Sequence, residues 1–463
     1  MKYLNNYLAK KYLLMLSIAT FTISGCKKDD WFQVKDHNEQ LKQTYDYPSD
    51  VAIKWMDMQL RLIRTNATPL GGLMPGRYFG YCGIALYESV LPGMPAYRTL
   101  SGQLSSMPAM PSLPATQPMP SMQGMQPITP GFACHWPTCA NTALAYMNRN
   151  FFPNTSIANK MSMDSLENAL NSTYQNEVSA EVFQRSVVFG KAVAQLIFDW
   201  SKTDGAADVY PLYESPSGPG LWVPTLPAFA PATLPNWGSN RLMVPGSLDG
   251  TVPAPPPAYS THLSSDYYKM VREVYDISQN LSTEQKEIAL YYRDNPGYGD
   301  GHYLSILMQV LQQKGSMLDI AAITYAKAGI ACVEAGKGCW RVKYQYNLER
   351  PITFITGTMN RSSWLPLIST PAFPEYTSEH STVGAAFSTI MAGIFGANCY
   401  FTNRTYDYLD MRPRFYNTFD DMENEISVSG LYAGIHYRIS CERGLKAGKK
   451  IGLNIENILK FLK

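Results

Sequence analysis

Three short segments near the C-terminus bring together residue types able to hold an anion and react with it. They are Lys343-Tyr-Gln-Tyr-Asn-Leu-Glu-Arg350-Pro351, Thr377-Ser378-Glu379-His380, and Ser429-Gly430 followed by His436. Two cations neutralise oxygens, arginine with a two-pronged fork. A neutral imidazole is both a nucleophile toward phosphorus and a metal ligand, and a second imidazole can move a proton. Seven residues separate Lys343 from Arg350, so on a continuous helix they share one face, and Pro351 is expected to stop that helix. The segment from Thr377 reads as the start of a helix reaching Phe395, whose free amides and positive dipole end would face the anion. Each residue alone has an ordinary reading, Lys343 and Arg350 as a solvated helix face and His436 as a core histidine. The ordered set points to an oxyanion pocket.

That order resembles the superfamily of type 2 phosphatidic acid phosphatases, bacterial acid phosphatases and vanadium-dependent haloperoxidases. Its first signature, K-x6-R-P, is matched by Lys343, Arg350 and Pro351. The second, P-S-G-H, is matched at Ser378 and His380, with Thr377 and Glu379 at the other places. The third, S-R-x5-H followed by an aspartate, is matched at Ser429 and His436, with Gly430 for the arginine and Ser440 near the aspartate. Gly218-Pro-Gly-Leu-Trp-Val-Pro-Thr225, Pro235-Asn-Trp-Gly238, Leu281 to Lys286, Gly301-His302 and Gly434-Ile-His-Tyr-Arg438 extend the likeness to the secreted haloperoxidase-related branch.

The resemblance implies a helical-bundle core with vanadate as cofactor in the haloperoxidase reading and no cofactor in the phosphatase reading; in it His436 bonds vanadium or the phosphorus of an intermediate and His380 handles the proton. Lys343, Arg350, Ser378 and the backbone amide of Glu379 would bind the oxyanion. Gly430 removes one guanidinium, and loss of such a preorganised donor costs on the order of 100–1000-fold in rate. Arg443, seven residues past His436, is the candidate to compensate if one helix runs through both. Glu375, Glu379, His380 and His436 are also of metal-ligating type. His302 sits at a helix start and reads as structural or as a neighbour of the site.

The N-terminus reads as an export signal over 1–25. Lys2, Lys10 and Lys11 flank an apolar run, and Ile23-Ser-Gly-Cys26 has the pattern that makes Cys26 a lipidated first residue. Residues 26–45 read as a tether, and Lys27-Lys-Asp-Asp30 suggests an outer-membrane or surface destination. Removing three lysines and no acids takes the formal charge from +2 to −1. That balance argues against a nucleic-acid partner. No later segment has the length of a membrane-spanning helix. Seven cysteines follow Cys26, and Cys134 with Cys139 is the easiest pair to imagine bridged in an oxidising compartment.

The remaining chain, 46–463, reads as one mainly α helical domain with long irregular Pro-rich connections at 101–130 and 204–260. Helices are expected at 138–150, 157–173, 176–202, 264–278, 282–293, 301–313, 315–336, 338–350, 379–396, 425–437 and 440–462, with the site inside 338–445. Three functions stay open: vanadate-dependent halide oxidation, phosphate-ester hydrolysis through a phosphohistidine at His436, and a surface binding protein that kept the fold and lost the chemistry.

Overall fold

The protein is described by a computed structural model over residues 42–66, 72–112 and 133–463. The expected signal segment, Cys26, the expected tether up to residue 41 and residues 113–130 of the Pro-rich stretch lie outside the described residues.

Thirteen α-helices, four single-turn 3-10 helices and one two-stranded ribbon make up the described elements. The N-terminal half contributes α1 (Asp50–Arg64), α2 (Leu73–Val90), α3 (Trp136–Phe151), α4 (Ile157–Tyr174) and α5 (Ala180–Ser201). After the irregular stretch come α6 (Asp266–Gln279), α7 (Thr283–Tyr291), α8 (Gly301–Lys314), α9 (Leu318–Tyr346) and α10 (Pro351–Gly357). The last third holds α11 (Glu379–Phe395), antiparallel β1 (Phe401–Asn403) and β2 (Arg414–Tyr416), α12 (Phe419–Tyr432) and α13 (Arg438–Ile458). Serines at positions 156, 179, 265 and 282 cap α4, α5, α6 and α7 by accepting the amide three residues on.

The central element is α9, packed against α2 on one side and α11 on the other. Sequence reading expected a break near Gly336, Lys337 and Gly338; instead these residues are buried within one 29-residue helix. Burial among packed neighbours overrides the weak helix propensity of glycine. Glu334 of the same helix accepts from the amides of Met243 (2.9 Å) and Val244 (3.2 Å), which ties the irregular stretch to the core. Where α2 crosses α9, Gly80 and Gly329 meet backbone to backbone: a Cβ on Gly329 would lie 2.7 Å from the Gly80 Cα. Gly444, Gly448 and Gly452 form a matching small-residue stripe on α13 that seats it tightly against α11. This close approach fixes the first turn of α11, which carries Ser378, Glu379 and His380. Among the described residues, no helix is long and apolar enough to cross a membrane.

Candidate oxyanion site

Lys343 lies in the last turn of α9, but the helix does not continue to Arg350. It ends at Tyr346, and Asn347 turns the chain with φ 45°. Beyond that turn the chain runs against the irregular stretch, through Trp222 N to Asn347 O (2.7 Å), Glu349 N to Gly220 O (2.9 Å) and an antiparallel bridge between Leu348 and Leu221. Arg350 is the N-cap of α10 and Pro351 its first residue, so the proline starts a helix rather than ending one. The expected shared helix face is therefore replaced by convergence of two separate elements.

Both cations are fully buried. The Lys343 ammonium donates to the carbonyls of Pro374 (3.2 Å), Glu375 (3.0 Å) and Thr377 (2.6 Å), which occupies all three of its protons. Burial pulls its pKa down to about 8. Arg350 donates through Nε to Phe373 O (2.8 Å) and through Nη1 to Ile435 O (3.0 Å), and its guanidinium lies over the Phe373 ring. Its Nη2 is buried with no partner. An orphaned buried guanidinium nitrogen is costly unless something anionic reaches it.

His436 is not at the end of a helix, as the sequence suggested, but in the turn joining α12 to α13. Its amide and that of Ile435 both donate to Gly430 O at 3.1 Å, and Gly434 takes φ 80° to close the turn. The ring's Nδ1 lies 2.7 Å from Glu375 Oε1. The same oxygen accepts the Tyr437 amide (2.9 Å), and Oε2 accepts the Ser440 hydroxyl (2.6 Å). Burial, then the Arg350, Lys343 and His380 charges, hold the His436 pKa well below its usual value, so the ring is neutral. Burial lifts the Glu375 carboxyl to about 7. Gly430 has a steric reason: a Cβ there would sit 2.8 Å from His436 Cδ2. The ring occupies space that any side chain at 430 would need.

Ser378 caps α11, its Oγ accepting the Ser381 amide (3.3 Å) while its own amide donates to Ser440 O (3.2 Å). The first-turn amides of Glu379 and His380 precede the intrahelical ladder and are the ones free to meet a ligand. Glu379 itself is buried, with Oε1 unpartnered. Burial and the neighbouring Asp294 lift its carboxyl to about 7. No Glu379–Arg350 ion pair forms among the described residues. His380 is partly exposed, with Nε2 3.4 Å from Asp294 Oδ1. Burial opposes its charge, but Asp294 and Glu379 outweigh that and raise its pKa. It opens onto a small cleft lined also by Tyr292, Asp294, His302, Tyr303 and Tyr406.

The structure thus gathers Lys343, Arg350, Ser378, Glu379, His380 and His436. Arg443 is engaged elsewhere: a new helix begins at Arg438, and Arg443 Nη1 donates to Ala254 O (2.8 Å), Pro255 O (2.7 Å) and Tyr376 Oη (3.0 Å). His302 has both ring nitrogens occupied, by Tyr406 (3.1 Å) and Asn403 (3.0 Å). No group of metal-ligating side chains that could hold a metal ion occurs among the described residues, so Glu375, Glu379, His380 and His436 do not form one. Cys134 and Cys139 are buried free thiols rather than a disulfide. Sequence reasoning missed Asp294 and the carboxylate role of Glu375. Neither lies in a signature, and only the absence of an aspartate at 440 hinted that another acid was needed.

A family model described as the VCPO second helical-bundle domain matches residues 323–462. The crystal structure of the first bacterial vanadium-dependent iodoperoxidase is similar over 90% of this chain and 98% of its own, with 28% identity and a TM-score of 0.76. An apo bacterial vanadium-dependent chloroperoxidase covers 85% of this chain and 96% of its own, at 15% identity and a TM-score of 0.62. A holo bacterial chloroperoxidase covers 92% and 97%, at 16% and 0.57. The two chloroperoxidases speak for the fold alone. No curated protein matches the sequence.

Proposed function

Because the chain belongs to the superfamily of vanadium haloperoxidases and type 2 phosphatidic acid phosphatases, we propose that it is an exported, lipid-anchored enzyme that binds a tetrahedral oxyanion at His436 and oxidises halide with peroxide. One observation carries the reading: a neutral, buried His436 with Nδ1 engaged lies in the electrostatic field of Arg350, whose Nη2 is unpartnered. A vanadate ion suits this donor set. Nε2 of His436 would bond it, and Arg350 Nη2 with the first amides of α11 would neutralise its oxygens. Lys343 would join by giving up a carbonyl. When bound, vanadate supplies Lewis-acid activation of peroxide. The protein's own part is to keep the His436 lone pair available, hold a proton on His380 through Asp294, and keep water from the buried cations. Iodide is the first halide to test, given the iodoperoxidase likeness.

A second reading, phosphate-ester hydrolysis, is favoured by Gly430 and by the fully engaged Lys343. With one guanidinium fewer, a resident anion is held less firmly, whereas turnover needs only transient binding. His436 Nε2 would attack phosphorus as the ester P–O bond breaks, and His380 would give its proton to the leaving oxygen. Water, losing a proton to His380, would then displace His436 and release phosphate.

The test assays iodide and bromide oxidation, after orthovanadate loading, beside phosphate-ester hydrolysis, in wild type and His380→Ala. Halide oxidation lost in the variant supports the first reading, and hydrolysis alone supports the second. Neither activity in the wild type would leave a binding protein with an inherited fold.

A further inference from the structure

The residues that depart from the superfamily's third signature form one coupled set. Where that signature has a carboxylate after the histidine, this chain has Ser440, and the carboxylate that meets His436 comes from a different segment, the loop before α11. We infer that Glu375 is the positioning residue of His436, fixing the proton on Nδ1 so that Nε2 carries the lone pair. The inference rests on the oxyanion-site reading above for its effect on chemistry, but not for the geometry.

Three donors converge on the Glu375 carboxylate: His436 Nδ1 at 2.7 Å, the Tyr437 amide at 2.9 Å and the Ser440 hydroxyl at 2.6 Å. The amide can only donate to Oε1, and Oε2 is satisfied by Ser440, so the carboxylate acts as acceptor at every contact. A carboxylate on one imidazole nitrogen sets the tautomer and the ring's direction. The segment that carries Glu375 is itself pinned, since Glu375 N donates to Leu348 O (3.0 Å) and Lys343 holds its carbonyl. Lys343 thus supports the loop that presents the carboxylate. The exchange also accounts for Gly430, because the ring drawn toward Glu375 lies with Cδ2 over Gly430, 2.8 Å from where a Cβ would be. Ser440 is small enough to admit a carboxylate from outside and polar enough to hydrogen-bond it.

The discriminating variant is Glu375→Ala, which takes the acceptor away from Nδ1, with Ser440→Asp added as the rescue. Nitrogen-15 NMR of the six histidines, with His436→Ala for assignment, reads the tautomer. The wild type is expected to show His436 protonated at Nδ1, and Glu375→Ala to shift it toward Nε2, the tautomer free histidine favours. Orthovanadate affinity should fall at least tenfold in Glu375→Ala and recover when Ser440→Asp is added. The same tautomer in wild type and Glu375→Ala would overturn the inference, as would a Glu375→Ala variant whose affinity Ser440→Asp does not improve. If the wild type neither binds vanadate nor turns over, the functional reading fails while the tautomer comparison still decides the role of Glu375. Circular dichroism on each variant separates loss of position from loss of fold.

Discussion

Glu379→Gln tests the site's charge balance most sharply. Glu379 is 5% exposed, its Oε1 has no partner, and burial lifts its carboxyl from 4.5 to about 7. A carboxyl raised in the folded state is harmless below its unfolded pKa and costs stability as the pH rises through its folded value. Ionising a carboxyl against burial of this kind costs on the order of 2–3 kcal/mol. The variant should therefore match wild type, or fall slightly below it, at pH 4.5. At pH 8.5 it should exceed wild type by about 2–3 kcal/mol, less the cost of burying the amide. Urea unfolding of both proteins at pH 4.5, 6, 7 and 8.5 measures the difference; raised carboxyls remote from Glu379 cancel in the comparison, whereas that of Asp300, raised in part by Glu379, is relieved with it. The same change should tighten orthovanadate binding at pH 8, where the wild-type carboxyl is largely ionised, and alter it little at pH 5.5. A stability difference flat across this range, or a variant weaker at pH 8.5, would refute an uncompensated buried carboxyl at this place.

Arg350→Lys removes the unpartnered Nη2 while keeping the charge, and orthovanadate affinity by calorimetry should fall by about 10–100-fold. Gly430→Arg restores the residue the third signature has, yet its Cβ would evict the His436 ring. Affinity should then drop rather than rise, and a gain would mean that the ring is free to move. Gly448→Ala places a methyl against the Thr382 carbonyl oxygen at the α11–α13 contact. It should destabilise the protein by about 3 kcal/mol in urea melts and weaken vanadate binding indirectly, by shifting the first turn of α11.

Much of the helix content could be read from the sequence because the signals were local. The expected bounds of α4, α6, α7 and α11 lie within a few residues of those observed, and in the structure a serine caps the start of each. The misreadings arose where long-range packing decided the outcome. Gly336 and Gly338 suggested a break that burial in α9 suppresses, and Pro351 suggested a stop where it begins α10. For the site, the signatures brought forward the two cations, Ser378 and both histidines. They could not reveal that Lys343 is spent on three carbonyls, that Arg443 serves the 254–255 segment, or that Glu375 reaches His436. Each of these depends on where an irregular loop folds back, which residue spacing does not encode.

The most direct measurement of the central claim is calorimetric titration of orthovanadate into the purified protein at pH 6, beside His436→Ala. Micromolar or tighter binding in the wild type, lost in the variant, is the result predicted for an oxyanion site built on His436 and Arg350. No binding at millimolar orthovanadate, or binding that survives the loss of His436, would contradict it.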